Sequence, residues 1–369
     1  MSLRNETVLW QRLLQHGLVD GEKPELSGDT APWYVRTMLG IAGWIGALFL
    51  LAAVFSGFAL LFDSGLTAGV LGVLACLAAI AIYRSIPNND FISQFGFAVS
   101  LAGQGLVVFS VFTGLDYFQN DSSFHDGLRT LALVLVVLET VLFLSIPNFL
   151  HRIWSGVLGT GALIYLMIQL GVYPFTSAIL LATLAFIWLQ EFAWAKHGKM
   201  IQPLAYSLVF VSFIHLITNK HLLGFSQFWQ EVVGIHPLGG VLGYDLAGLL
   251  LGVVLFAVTV VLLRRTKVAL TSSVGVATLV LVIIIAVVGV RAPGIPIALV
   301  LVLLGYAHGN RVLTGMGLLT LVVFISQFYY QLNLTLLHKS VVLFLSGVVV
   351  LIMRQLMHFF WPLLESNDA

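Results

Sequence analysis

Long apolar runs separated by short polar breaks fill the chain from residue 38 onward. A helix needs about 20 residues to cross about 30 Å of hydrocarbon. Twelve segments approach that length, at 38–62, 66–84, 91–115, 128–146, 152–172, 175–194, 201–218, 245–264, 268–290, 295–308, 312–330 and 340–361. Each is expected to be helical, because backbone groups in lipid must find their hydrogen bonds within their own segment. The tenth, IPIALVLVLLGYAH, is short, and the RAPGIP before it fits a tight hairpin with the ninth. Ahead of the first run, ETVLWQRLLQH reads as an amphipathic helix with Asn5 as N-cap and Gly17 as its stop. Such a helix docks a partner or lies on the membrane surface. The pattern therefore predicts an all-α, polytopic integral membrane helical bundle of about twelve transmembrane helices. A short cytoplasmic N-terminal helix and linker occupies 1–36, the bundle 37–362 and a cytoplasmic tail 363–369.

Composition agrees with that reading. The chain has 369 residues, of which 59% are hydrophobic and 9% charged, against about 25% charged in ordinary soluble domains. There is too little charge to coat soluble domains of this size, so lipid is the expected partner of most of the surface. A net charge of +1 gives no field directed at nucleic acid, and no nucleic-acid partner is expected. The single Cys76 forms no intramolecular disulfide and belongs to no CxxC motif. The first residues are charged and amphipathic, unlike the basic-then-apolar start of a cleavable signal peptide. With the N-terminus inside, the outside segments hold only Arg129, Lys220, Arg291 and Lys339 of the 17 lysines and arginines. That asymmetry predicts both termini on the cytoplasmic side.

Few residues inside the runs carry chemistry. Glu139, in LVLVVLETVLFLSIP, lies about 10 Å from the cytoplasmic end of its helix at 1.5 Å per residue. A carboxylate at that depth costs a few kcal/mol and is expected to face the bundle interior. Arg354, in VVLIMRQLMHFFW, lies at a similar depth on the last run. The two form a proton- or ion-coupling site, or a structural ion pair, or stand apart with Glu139 protonated and Arg354 reaching the headgroups. Gln104 joins them as a candidate intramembrane polar residue, beside Ser100, Ser110, Gln169, His215 and Gln327. Near the outer face, QFYYQLNLTLLHKS places Tyr329 and Tyr330 at the end of one helix and Thr335, Lys339 and Ser340 at the start of the next. Thr335 is expected as N-cap, and Lys339 beside that helix start forms a candidate anion site; a capped turn with belt tyrosines is the plainer alternative.

Other signals concern packing. Glycines in GIAGWIG, SGVLGTG and GLLLG let helix backbones approach closely. The pair Gly248 and Gly252 marks either a dimer face or packing inside the bundle. RSIPNN and LSIPNF recur on the same side of the membrane and hint at a duplicated hairpin. His125, Asp126, His221 and His236 match no metal-ligand spacing. No HExxH, GxSxG or phosphate-loop motif appears. No cofactor is implied.

The stretch from Gly294 to Gly347 resembles the C-terminal signature of a bacterial multipass membrane family known as a domain of unknown function. Its pieces read GNxxLxGxG, here Gly309 to Gly317, and YYxLxxTLLxKSxxLxxxG, here Tyr329 to Gly347. The start, Trp10 to Leu18, is similar to the WxxxxxxGL opening of a related family. The resemblance implies a bacterial inner membrane and a co-encoded partner, a small membrane-anchored protein with a GDYXXLXY motif. Together these readings favour a non-enzymatic membrane component that assembles with such a partner. The alternative is a transporter or channel for a small solute or ion, with Glu139 as coupling site.

Overall fold

The structure is a computed structural model. It describes residues 65–85, 90–114, 121–191, 193–218 and 240–331, with scattered positions within 10–15, 34–52 and 337–355. Among the described residues every regular element is helical. In chain order these are α1 Gly65–Ser85, α2 Asp90–Gly114, α3 Asp121–Ser145, α4 Phe149–Gln169, α5 Thr176–Leu189, α6 Gly198–Thr218, α7 Gly240–Arg265, α8 Ser273–Gly289, α9 Gly294–Ala307 and α10 Arg311–Gln331. Short 3₁₀ turns, Tyr173–Phe175 and Ala195–His197, lead into α5 and α6. These helices coincide with the second to eleventh apolar segments. The first and last, 38–62 and 340–361, are described only in part, and their described positions, among them the run 41–46, are helical.

Among the described residues five stretches are long and apolar enough to cross a membrane: α1, Phe91–Thr113 of α2, Asp126–Ser145 of α3, Ala195–Ile217 around α6, and Asp245–Arg265 of α7. Helices α5, α8, α9 and α10 contribute shorter apolar stretches. With 14 residues, α9 is about 21 Å long at 1.5 Å per residue, less than the hydrocarbon thickness. Helix α4 has the length of a span, yet it opens on the polar pair His151 and Arg152. Two helices begin earlier than hydropathy alone indicates: α3 at Asp121 and α7 at Gly240. Apolarity marks the part of a helix that meets lipid, whereas backbone bonding continues into the aqueous margin.

Neighbours in sequence pack as neighbours in space: α1 with α2, α3 with α4, α7 with α8 and α9 with α10. Close approach explains several glycines. A Cβ on Gly72 would lie 2.8 Å from the Gly103 carbonyl oxygen, and one on Gly103 would lie 2.8 Å from that of Gly72. Gly248 and Gly252 face α8, where added Cβ atoms would meet Val290 Cα at 2.7 Å and Ala286 Cβ at 2.6 Å. That glycine face is therefore filled from within the chain and is not a dimer face.

The GNxxLxGxG stretch builds the tight α9–α10 connection. Gly309 adopts φ 63°, which glycine accepts without a Cβ penalty. Asn310 caps α10, its side-chain oxygen accepting from the amides of Val312 and Leu313 at 3.1 Å each. Its amide nitrogen donates to Tyr206 Oη at 2.7 Å.

Helices α5, α6, α7 and α9 enclose the main apolar core, with Leu184, Trp188, Leu255, Leu301 and Leu304 among its deepest side chains. A smaller core of Cys76, Tyr83, Leu142 and Ile146 joins α1 to α3. The polar site lies beside it.

Candidate functional site

Glu139 lies on the face of α3 that also carries Leu142, three residues on, and leads to Ile146 just past the helix end, a spacing that keeps one face turned to one neighbour. Its side chain is 1% exposed. A Cβ on Gly159 of α4 would come within 3.3 Å of Glu139 Cβ, so α4 passes close above it. Neither carboxyl oxygen makes a close hydrogen bond, and the Ser155 hydroxyl of α4 stands beside it as a donor. Ser155 of α4 and Cys76 of α1 stand within electrostatic range of the carboxyl. Glu139 faces the bundle interior and not lipid.

A line of polar side chains in contact ends at Ser155, beside that carboxyl. Trp154 Nε1 donates to Gln104 Oε1 at 3.2 Å, and Gln104 Nε2 donates to Ser100 Oγ at 3.2 Å. Ser100 Oγ lies 2.8 Å from His151 Nε2. His151 Nδ1 lies 3.4 Å from Ser155 Oγ. Two of these steps join residues four apart on one helix, Ser100 with Gln104 and His151 with Ser155, the spacing that makes side chains neighbours. His151 is 0% exposed. The rings of Tyr83 and Phe97 meet it edge-on, at 5.8 and 5.7 Å between centroids.

The α3–α4 connection fixes this line in place. Asn148 caps α4, accepting from the His151 amide at 3.0 Å, and its own amide donates to Ser93 Oγ of α2 at 2.8 Å. Tyr83 Oη donates to the Ser93 carbonyl at 2.6 Å. Arg152 closes the end of the bundle: Nε donates to the Phe143 carbonyl at 3.1 Å and Nη1 to that of Lys199 at 2.7 Å. The guanidinium thus satisfies a carbonyl in the last turn of α3 and bonds one in the first turn of α6, turned to backbone carbonyls on both sides.

Of the intramembrane candidates, the structure brings Glu139 and Gln104 to one site. Arg354 lies outside the described residues. At the outer-face candidates, Tyr329 sits half-buried on α10. Ser340 is exposed, and its hydroxyl donates to the Leu337 carbonyl of its own turn at 2.8 Å. Thr335, Lys339 and the side chain of Tyr330 lie outside the described residues. Elsewhere, His215 is buried, with Nε2 2.8 Å from Thr176 Oγ1 and its ring edge-on to Tyr173. No group of three His, Cys, Asp or Glu side chains among the described residues is arranged to hold a metal ion.

Three members of the line, His151, Trp154 and Ser155, were not singled out as site residues by sequence reasoning. Their signal was present as the i, i+4 pair His151–Ser155, on a helix start that also carries Arg152.

Residues 32–358 match the family described as domain of unknown function (DUF4401). No curated protein and no solved structure matches the chain.

Proposed function

This chain belongs to the DUF4401 family, a family without assigned activity, and from its own residues we propose that it is a transporter or channel in which Glu139 binds and releases a proton inside the bundle. The observation that carries the reading is a fully buried carboxyl with no close hydrogen bond and no counter-ion among the described residues, at the end of a line of polar side chains. An ionised carboxylate left alone in an apolar interior costs many kcal/mol and is resolved by a proton or a cation. A purely structural acid would be expected to have both oxygens engaged. About twelve spans with both termini in the cytoplasm complete the proposal, supported by the lysine and arginine asymmetry. Assembly with a membrane-anchored partner rests on the sequence resemblance alone, and co-purification with the co-encoded neighbour tests it.

Proteoliposomes loaded with a pH-sensitive dye test the main proposal. An imposed membrane potential, negative inside, should acidify the lumen with the unaltered protein, and Glu139→Gln should abolish the response. No response from the unaltered protein, or the same response from both, overturns the proposal.

A further inference from the structure

We infer that His151 is held as the Nδ1–H tautomer and acts, through Ser155, as the hydrogen-bond donor that accommodates negative charge on Glu139, with Trp154 and Gln104 fixing that polarity. This rests on the proposed role of Glu139 as the proton site.

Trp154 Nε1 is a donor only, so the Gln104 atom 3.2 Å from it is the amide oxygen. The Gln104 nitrogen therefore faces Ser100, whose hydroxyl oxygen accepts from it. Ser100 is fully buried, and its own proton has one acceptor within reach, His151 Nε2 at 2.8 Å. A proton on Nε2 would make Ser100 accept twice and leave its hydroxyl proton buried without a partner, which folded proteins avoid. Nε2 is thus the acceptor, and the ring proton sits on Nδ1. Nδ1–H points to Ser155 Oγ at 3.4 Å, the long end of a hydrogen bond. Ser155 accepts there, and its own proton is free to turn toward the neighbouring carboxyl. Every donor in the line therefore runs toward Glu139, from Trp154 through Gln104, Ser100, His151 and Ser155. A carboxylate accepts such a donor, and the bond is stronger for the charged form than for the neutral acid.

Other titratable groups around His151 are already committed. On α1, Tyr83 Oη donates to the Ser93 carbonyl, and the Cys76 thiol lies 4.0 Å from the Ser100 carbonyl oxygen. On α4, Arg152 is held by the Phe143 and Lys199 carbonyls. Among its described residues, α2 faces the ring with Ser100 and Phe97 and with no titratable side chain.

Nitrogen-15 spectra of histidine-labelled protein in lipid, with infrared titration of the Glu139 carboxyl band, test the inference. The band is assigned by its loss in Glu139→Gln. The unaltered protein should show His151 with its proton on Nδ1. Trp154→Phe keeps an aromatic ring against Phe97 but frees the Gln104 amide to turn. It should give a mixture of tautomers and raise the proton affinity of Glu139 about tenfold, the worth of one hydrogen bond to a charged group. Ser155→Ala should raise that affinity similarly while leaving the tautomer on Nδ1. A carboxyl that never ionises in the unaltered protein overturns both this inference and the proton-site reading. A carboxyl that ionises overturns this inference alone if His151 carries its proton on Nε2, or if neither variant changes the affinity.

Discussion

At the scale of the residue, the partnerless carboxyl makes opposite claims on stability and function. If Glu139 is a proton site and not half of an ion pair, replacing it with an apolar side chain removes two orphaned oxygens from the interior. Glu139→Leu is therefore expected to leave the thermal midpoint of the purified protein unchanged or to raise it, by about 1–3 kcal/mol of stability at most. Loss of about 3–5 kcal/mol would instead mark a structural pair with a cation such as Arg354, because breaking a buried pair strands the other charge. Heating the two proteins in the same detergent separates the cases. Glu139 and Gln104 were legible in the sequence because a polar group within a long apolar run must be explained. His151 was not. NFLHRIW places it at the edge of a run beside an arginine, where polar side chains ordinarily meet water. Only the three-dimensional arrangement buries it, through the rings of α1 and α2 and an Arg152 that turns away to carbonyls on α3 and α6.

At the scale of the element, hydropathy located ten helices and misjudged mainly their starts. It also exposed the glycines without saying which neighbour each one meets. The α1–α2 crossing depends on two of them, since each one's missing Cβ makes room for the other's carbonyl. Gly103→Val is expected to force the helices apart and cost about 1–3 kcal/mol, the usual penalty of overpacking. Gly105→Ala, where nothing lies within 4 Å, should be neutral or slightly stabilising through helix propensity. Thermal midpoints of these two variants check the pair, and equal effects would mean that the crossing does not limit stability. The GNxxLxGxG stretch behaves differently. Its resemblance value came from spelling, but its physical content is a left-handed Gly309 and a capping Asn310. Asn310→Ala should cost about 1 kcal/mol from the cap, and more if the bond to Tyr206 contributes separately. Tyr206→Phe alone measures that second share.

At the scale of the whole molecule, the sequence determined the class and left the site's assembly open. Leu66, Val137, Val253 and Val322 lie exposed on the outside of helices that turn their small residues inward. That inversion of the soluble pattern suits a lipid solvent. Helix α9 is the weak point of the span count, with 14 residues, eight of them buried. A helix that short crosses only where the bilayer thins or where neighbours extend its path. The packing of α9 against α7 and α10 supplies such neighbours. On the proposed count of about twelve spans, both termini would share one compartment. Reporter enzymes active only in the cytoplasm should therefore work when fused at Ala369 and after Leu26, and fail when fused in 219–239. Reporters active only outside should give the reverse pattern. Outside activity at Ala369 with inside activity after Leu26 would mean an odd count, with α9 as the helix that fails to cross. Lys and Arg placement would then be re-read with α10 reversed, putting Arg311 outside and Lys339 inside.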